Sequence, residues 1–426
     1  MNRYSGYKDS GVEWIGKIPN HWKMKKIKHI GTSKSGDGFP IKLQNDETGT
    51  IPFFKVSDTN LCGNEIYLNS SNNYVTETTI KEMRFKVFEE NSIAFPKIGE
   101  VLRNNKRRIL SQPSCIDNNM MALEVKTANL GKFLYYLMCR IDFSFYCSDG
   151  TVPSISENQV GDIKIPIPPE KEQALICKHL DKRTSQLDSL IEKISRKIEL
   201  LKEKRTSLIN QCVTRGLDSD VDMKDSGVDW IGKIPSHWYI SLLKYASYLI
   251  NKKRLPSQGE KKISPEYVES GTGKITNYYS DHGTEGLEFQ LGDTLLNKLR
   301  VYLSKVVFCN FSGLSMGEMI VLRPIKYDPK YQFYLISSGS FIDYLNSFSE
   351  GVKLPRTPVE GIVRTAIPVP PQDEQVLISK YLDKKTSQIN SLIEKETRRI
   401  ELLKEYRQSL ISNVVTGKVR ITEEMI

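Results

Sequence analysis

The sequence predicts an α+β protein with two mixed, strand-rich domains separated by an antiparallel coiled coil of two long helices, and with an internal pseudo-twofold repeat. Two repeated segments support this prediction. Residues 8–22 and 224–238 agree at 13 of 15 positions, at an offset of 216. Residues 165–214 and 367–416 agree at 33 of 50 positions, at an offset of 202. The chain therefore consists of a short box, a variable segment and a helix, followed by the same three parts again.

The repeats also predict where the chain divides. The variable segments between the repeats are residues 23–164 and 239–366. The predicted divisions are 1–164 for the first box and domain, 165–222 for the first helical region, 223–366 for the second box and domain, and 367–426 for the second helical region.

The longer repeat has the pattern of a coiled coil, because apolar side chains recur every seven residues along it. Pro168-Pro169 and Pro370-Pro371 prevent an earlier helix start, so each helix is expected to run for about 43 residues, or about 65 Å. Two equivalent helices in one chain most simply pair with each other. Glu396 interrupts the second seam, where it either fixes the register or faces solvent at a splayed point. The predicted seam residues are Leu180, Leu187, Ile194, Leu201, Leu208, Leu382, Ile389, Leu403 and Leu410.

The short box contains all four tryptophans of the chain. Two large aromatic residues eight positions apart, with Gly and Pro between them, are typical of a rigid loop that packs onto a core. His21 and His237 lie beside these tryptophans, but no Cys, Asp or Ser stands at a fixed spacing that would favour catalysis. Structural packing is therefore their predicted role. The predicted core residues of the box are Trp14, Trp22, Trp230 and Trp238.

Both variable segments indicate strand-rich folds, because apolar and β-branched stretches are broken by Gly, Asn, Asp and Pro. In each segment an apolar strand runs into a basic, polar loop, FPKIGEVLRNNKRR at residues 95–108 and NKLRVYLSK at residues 297–305. Such loops place Lys and Arg on phosphates, and Arg or Asn on base edges. The alternative is a charged hairpin tip exposed to solvent. Residues 149–154 and 350–356 share a second feature, a glycine turn followed by hydroxyl or cationic side chains that could reach a phosphate.

Composition and missing motifs exclude several classes of protein. The net charge of +10 and the pI near 9.0 favour a polyanionic partner, with nucleic acid ahead of a membrane surface. No stretch reaches the roughly 18–20 apolar residues of a membrane span, and the first residues lack a signal-peptide pattern, so a cytoplasmic location is expected. Seven cysteines without a Cys-x-x-Cys pair predict reduced thiols and no zinc site. The common phosphate-loop, dinucleotide-binding, metalloprotease and hydrolase motifs are absent, so the chain is predicted to be non-catalytic.

The layout resembles that of the specificity (S) subunits of type I restriction–modification systems. The resemblance covers nearly the whole chain. It lies in the box GVEWIGKIPNHW, the helix entries IPIPPEKEQ and IPVPPQDEQ, the helix LIEKISRKIELLKEKR, and the segments FPKIGEVLRN and GDTLLNKLRVYLSKV. It implies that the variable segments are target-recognition domains, each reading one half of a split, asymmetric site in double-stranded DNA. The helices would then be a rigid separator that sets the spacer between the half-sites.

The resemblance also implies partners and cofactors in a bacterial or archaeal cell. Two modification (methyltransferase) subunits would join each chain, and a restriction complex would add two restriction (translocase–nuclease) subunits. S-adenosylmethionine for adenine methylation would bind the modification subunits, and ATP and Mg would bind the restriction subunits. Lys97, Lys298 and Arg300 match family positions that approach DNA. Charge and loop placement extend the predicted DNA-binding set to Arg103, Lys106, Arg107, Arg108, Lys305, Lys353 and Arg356.

Two other functions stay open at this point. One is a coiled-coil scaffold whose accessory domains bind proteins, and the other is a solitary DNA-binding regulator. A gene for a methyltransferase beside the gene for this chain would favour a specificity subunit over both. Two unlike domains fused in one chain also permit an asymmetric DNA site, whereas a homodimer would require a palindromic one.

Overall fold

The structure is a computed structural model, which describes residues 3–44, 49–125, 127–147, 152–279 and 283–426. It divides into two compact units. Unit 1 consists of Met1–Lys193 and Arg399–Ile426, and unit 2 consists of Ile194–Arg398. Each unit therefore contains one copy of the box, one variable segment, and part of each long helix.

Unit 1 begins with the first box and ends its variable segment at the first long helix. Its elements are β1 (Tyr7–Asp9), β2 (Lys17–Pro19), β3 (Lys23–Lys26), β4 (Gly31–Ser35), β5 (Ile51–Phe54), β6 (Tyr67–Leu68), β7 (Tyr74–Val75), α1 (Glu77–Met83), β8 (Ile93–Pro96), β9 (Arg108–Leu110), β10 (Cys115–Ile116), β11 (Met120–Val125), α2 (Ala128–Met138), α3 (Glu157–Asp162), β12 (Lys164–Ile167) and the start of α4 (Glu170–Arg215).

Unit 2 begins with the end of α4 and follows a related order. Its further elements are β13 (Met223–Asp225), β14 (Lys233–Pro235), β15 (Tyr239–Leu242), β16 (Ser247–Ile250), β17 (Lys253–Arg254), β18 (Lys262–Ile263), β19 (Gly286–Phe289), β20 (Thr294–Asn297), β21 (Val306–Phe308), β22 (Gly313–Ser315), β23 (Met319–Pro324), α5 (Pro329–Ser337), α6 (Gly339–Ser347), α7 (Val359–Arg364), β24 (Ala366–Val369) and the start of α8 (Gln372–Val415). Unit 2 has α5 and α6 after β23 where unit 1 has α2 after β11.

The repeated sequence forms the same local structure in both units. Each box folds as a hairpin, β1 with β2 in unit 1 and β13 with β14 in unit 2. The strand after each box pairs with the strand that leads into the long helix, so that Lys23 lies opposite Ile167, and Tyr239 lies opposite Val369. Each variable segment therefore leaves and re-enters the repeated frame at one antiparallel strand pair.

The two variable segments share a sheet plan despite their unlike sequences. Unit 1 has a sheet with the strand order β4-β11-β8-β9-β6, and unit 2 has one with the order β16-β23-β20-β21. Strand β11 places Ala122 opposite Ala94, and β23 places Val321 opposite Leu295. A second sheet lies beside each, with three strands in the order β10-β5-β7 in unit 1 and four in the order β17-β19-β22-β18 in unit 2.

Both long helices contribute to the apolar core of each unit. The core of unit 1 takes Ile176 and Leu180 from the start of α4, and Ile411, Val414 and Val415 from the end of α8. The core of unit 2 takes Ile209, Cys212 and Val213 from the end of α4, and Ile378 and Leu382 from the start of α8. Since the start of one helix lies beside the end of the other within each unit, the helices run antiparallel there. The predicted α+β class with two long helices is confirmed.

The predicted seam faces inward along both helices. Leu180, Ile194, Leu382 and Ile389 are buried, and the other five predicted seam residues are half-buried. Glu396 keeps only 12% of its side chain exposed, and its carboxylate lies 2.5 Å from the ammonium of Lys197 on α4. It therefore joins the two helices within unit 2 instead of facing solvent, which favours the register-fixing interpretation.

Candidate DNA interface

The box is held on the long helix by one carboxylate in each unit. In unit 1 the indole N–H of Trp22 donates to Glu172 over 2.9 Å, and His21 Nε2 lies 2.5 Å from the same carboxylate. In unit 2 Trp238 donates to Glu374 over 2.9 Å, and His237 Nε2 lies 2.6 Å from it. Both histidines thus have a structural partner, and catalysis is not needed to explain them.

The tryptophans fill the cores as the sequence predicts for rigid loops. Trp22 and Trp238 are completely buried. Trp14 and Trp230 are partly buried and pack against the cores of units 1 and 2, and Trp230 lies edge-on to Phe341 at 5.5 Å between ring centroids. The four residues therefore fix the box to the frame.

A second polar contact holds each variable domain on its long helix. In unit 1 Asp181 accepts a hydrogen bond of 2.7 Å from the Tyr136 hydroxyl and pairs with Lys132 over 2.8 Å. In unit 2 Asp383 accepts a hydrogen bond of 2.8 Å from the Tyr334 hydroxyl and pairs with Lys330. Asp181 and Asp383 occupy equivalent repeat positions, so the two domains are attached to the frame in the same way. We call these two carboxylates the anchor aspartates.

Main-chain hydrogen bonds align the two basic loops residue by residue. In unit 1 the Lys97 N–H donates to the Asn119 carbonyl over 2.9 Å, and the Gly99 N–H donates to the Pro153 carbonyl over 2.8 Å. In unit 2 the Lys298 N–H donates to the Glu318 carbonyl over 3.0 Å, and the Arg300 N–H donates to the Pro355 carbonyl over 2.7 Å. Lys97 is therefore equivalent to Lys298, Gly99 to Arg300, and Asn119 to Glu318.

The loop of unit 2 gathers cationic side chains around one carboxylate. Glu318 pairs with Lys298 over 3.3 Å and with Arg356 over 2.6 Å. The guanidinium of Arg300 donates to the Lys353 carbonyl over 3.3 Å, which ties the loop to the neighbouring hairpin. We call Lys298, Arg300, Lys353 and Arg356 the cation cluster, with Glu318 as its carboxylate. The structure thus brings together four of the five cationic residues that the sequence predicts for DNA binding in this domain.

Arg300 has an unusual backbone conformation. Its φ is 52°, in the left-handed region, where the equivalent Gly99 has a φ of 82°. Glycine adopts this region without strain, whereas a residue with a Cβ pays about 1 kcal/mol or more. Its Nε is also buried without a hydrogen-bond partner among the described residues. Strained and incompletely paired groups of this kind cluster at ligand sites.

The hairpin beside the cation cluster has an exposed apolar tip. Glu350 and Arg356 exchange two main-chain hydrogen bonds of 2.9 and 2.8 Å, which close the turn. Val352 at the tip is fully exposed, and Leu354 is 54% exposed, with the exposed Lys353 between them. Residues 149–151, which belong to the corresponding predicted feature of the first domain, lie outside the described residues.

Three predicted residues of the first domain occupy the loop that follows β8. Lys97 is half-buried, and Arg103 is exposed and pairs with Glu100 over 3.4 Å. Lys106 donates to the side chain of Asn60, and the equivalent Lys305 of the second domain donates to the Pro265 carbonyl. Lys106 and Lys305 therefore both bond to a neighbouring short 3₁₀ helix of their own domain.

The prediction that Arg107 contacts DNA is wrong, because this residue is buried in the core of unit 1. It is 1% exposed, and its guanidinium lies 3.9 Å from the centroid of the Phe143 ring. Burial lowers the pKa of Arg107 to about 10. The cause is the strand register, since Arg107 lies two residues before Ile109, and the equivalent residue of the second domain is the buried Val306.

Arg108 is also directed inward. Its guanidinium donates to the carbonyls of Thr59 over 2.9 Å and of Arg107 over 2.8 Å. The side chain is half-buried and links β9 to the 3₁₀ helix Val56–Asn60. Its cationic group therefore has protein partners in the structure.

Comparison with known proteins identifies the family. The sequence profile described as "Type I restriction modification DNA specificity domain" matches residues 19–200 and 247–402, which is more than half of the chain. The chain belongs to this family. The two matched segments agree with two target-recognition domains in one specificity subunit, and this finding favours that function over a scaffold or a solitary regulator.

Relatives and solved structures support the assignment of this specificity subunit. The chain is 26% identical to the type I restriction enzyme MjaIX specificity subunit of Methanocaldococcus jannaschii, with 96% of each chain covered. It is 20% identical to the EcoDI specificity subunit of Escherichia coli, over 95% of this chain and 90% of the other. The HsdS subunit of Thermoanaerobacter tengcongensis has the same fold, with a TM-score of 0.51, 14% identity, and coverage of 96% and 100%. A chain from a study of complex assembly in a type I R-M system gives a TM-score of 0.68 at 14% identity, with coverage of 93% and 98%.

Within the described ranges, no helix is long and apolar enough to cross a membrane. The same part of the chain holds no group of three or more His, Cys, Asp or Glu residues that could bind a metal ion.

The sequence did not identify Glu318 and Asn119 as site residues. Both follow a turn between two strands, and neither belongs to a motif. The position of Glu318, three residues after the end of β22 and directly after Gly317, carries no signal of its own. Its place in the cation cluster follows from the folded structure, through the main-chain bond from Lys298 and the ion pairs with Lys298 and Arg356.

Proposed function

We propose that each target-recognition domain of this specificity subunit reads one half of an asymmetric, bipartite site in double-stranded DNA. The domains would be 1–164 and 223–366, with variable parts 23–164 and 239–366, and the helical regions would be 165–222 and 367–426. One observation carries the proposal. The same main-chain framework presents Gly99 and Asn119 in the first domain, and Arg300 and Glu318 in the second. A constant frame with unlike side chains at its tip is what two different half-sites require.

The cation cluster and the basic loop of the first domain are the proposed DNA contacts. Exposed Lys353 and Arg356 suit phosphates, and Arg300 suits a base edge because its guanidinium can donate two hydrogen bonds to guanine. In the first domain the proposed contacts are Lys97, which is equivalent to Lys298, and the exposed Arg103 of the same loop. Lys106, Lys305 and Arg108 would steady their loops and contribute to the positive potential.

We also infer that the long helices set the spacer and dock two modification subunits. The support is the duplication of an exposed apolar side chain on each helix, Leu200 on α4 at 49% exposure and Leu402 on α8 at 50%. These residues occupy equivalent positions of the repeat, so each can meet the same surface of a second protein. Two copies of one binding surface support two copies of one partner.

In this proposal the chain itself performs no chemistry. Methylation would take place on the modification subunits with S-adenosylmethionine, and cleavage on two restriction subunits with ATP and Mg. The complex would act in the bacterial or archaeal cytoplasm. The absence of catalytic motifs from the sequence supports this division of roles.

The test is DNA binding by the assembled methyltransferase complex with Arg300→Ala. We expect the affinity for the specific site to fall by about 1–3 kcal/mol, because a contact with a base edge is lost. Arg364→Ala is the matched control, since Arg364 lies in the same unit, is 64% exposed and pairs with Glu360 on its own helix. Unchanged affinity at moderate salt, with the complex intact, would contradict the assignment.

A further inference from the structure

We propose that Glu318 is a specificity-determining residue that accepts a hydrogen bond from the exocyclic amino group of a cytosine in the second half-site. This inference rests on the proposed function of the second target-recognition domain. It assigns a role to a carboxylate on a surface where attraction to the DNA phosphates alone would favour a cation.

Glu318 is a carboxylate among the cations of the second domain. The residue lies directly before β23, its carbonyl accepts the main-chain hydrogen bond of Lys298, and its side chain is 32% exposed. It lies within the cluster of cations proposed to approach the phosphates. A carboxylate at this position would be repelled by the phosphate backbone unless it points toward a base edge.

DNA binding would change the charges that surround Glu318. In the free chain Glu318 is paired with Lys298 and Arg356. When these cations turn to phosphates or to guanine, the carboxylate loses its partners and becomes a half-buried acceptor without a donor. Leaving such a group unpaired is costly, so the bound state requires a donor from the DNA.

The identity of the base follows from the available donors. In the major groove the amino group of cytosine is a donor without a neighbouring acceptor, whereas adenine places its N7 acceptor next to its amino group. Guanine and thymine offer a carboxylate no donor there. Glu318 therefore favours a cytosine, with discrimination of about 10- to 100-fold against guanine or thymine.

The equivalent residue of the first domain supports this role. Asn119 takes the same main-chain position, and its amide pairs best with adenine. The framework thus supplies one acid and one amide at matched points of two domains. A residue that served only as a structural ion-pair partner would not need to lie beside the basic loop in one domain and be replaced by an amide in the other.

The experiment uses the specificity subunit assembled with its modification subunits, and reads the methylated sites in a library of DNA with random flanking and site bases. Glu318→Gln is the test variant, because it keeps the shape of the side chain and supplies an amide. We expect one position of one half-site to shift from cytosine toward adenine by at least 10-fold, while the other half-site stays unchanged. Glu360→Gln is the control for the lost charge, since Glu360 lies in the same unit and pairs with Arg364 on the exposed helix α7.

The pattern of methylated sites decides the proposal. A shift confined to one position supports it. An unchanged site, or an equal loss of preference at many positions, overturns it. If Glu318→Gln fails to assemble, Glu318→Asn is read in the same assay, and a site without an altered position overturns the proposal. If Arg300→Ala abolishes site recognition while Glu318→Gln changes nothing, only this inference fails. If neither variant changes the site, the proposed function of the second domain fails as well.

Discussion

The two halves of the chain are alike where they attach and unlike where they would meet DNA. Glu172 and Glu374 hold the same Trp and His pair, and the two anchor aspartates accept from the same Tyr and Lys pair. The loops differ at equivalent positions, because Gly99 of the first domain corresponds to Arg300 of the second, and Asn119 corresponds to Glu318. The repeated sequence therefore keeps the attachment of each domain to the long helices the same, while the residues of the basic loops differ.

The strongest test of the shared attachment between box and long helix is Trp238→Ala. The indole is fully buried in the core of unit 2 and bonds to Glu374, so we expect a loss of about 3–5 kcal/mol of unfolding free energy. Urea unfolding of the chain measures it. Tyr239→Ala is the control, since Tyr239 is 51% exposed and should cost far less. A loss below about 1 kcal/mol for Trp238→Ala would show that the box does not hold the frame.

Arg107→Ala separates a buried arginine from a DNA-binding one. The guanidinium loses its position over Phe143 and its hydrogen bond to Asn105, so we expect unfolding free energy to fall by about 2–4 kcal/mol. The salt dependence of DNA binding should not change, because no phosphate contact is lost.

Arg103→Ala is the matched control for Arg107→Ala. Its side chain is 59% exposed, so it should leave stability nearly unchanged. If Arg107→Ala lowered the salt slope of binding by about one while leaving stability intact, the assignment of Arg107 to the core would be wrong.

The anchor aspartates should have equal importance. Asp383→Asn removes the charge that holds Lys330 and weakens the bond from the Tyr334 hydroxyl, and we expect a cost of about 1 kcal/mol because the pair is partly exposed. Asp181→Asn should cost the same in unit 1. Thermal unfolding of both variants checks this, and a clear loss in only one of them would contradict the equivalence of the two attachments.

Arg300→Gly tests the difference between the loops without damaging the fold. Glycine relieves the left-handed backbone at this position, so stability should stay the same or rise by at most about 1 kcal/mol. Specific DNA binding should weaken by about 1–3 kcal/mol, because only the side chain is removed. Gly99→Ala is the reverse control, since its φ of 82° should make that variant less stable. A less stable Arg300→Gly with unchanged DNA affinity would mean that the side chain serves the fold.

The box and the long helices were predictable from the sequence because the two copies of each still share most of their residues. The heptads place Leu180 and Leu382 in the cores, and the box tryptophans take up equivalent places. The loops were less predictable because the variable segments share few residues. Two additional residues in the first loop change the path into β9, and this register puts Arg107 inside while Arg103 stays outside. Glu318 was missed for a related reason, since its place depends on strands distant in sequence that meet only in the folded chain.

The most direct test of the central claim is an exchange of domains. Replacing residues 239–366 with a second copy of residues 23–164 joins the donor segment at the same strand pair, since β3 with β12 matches β15 with β24. The measurement is the map of methylated adenines made by the assembled complex. If each domain reads its own half-site on a shared frame, the site becomes symmetric, with the first half-site repeated in inverted orientation. A site that keeps its original second half would contradict the account.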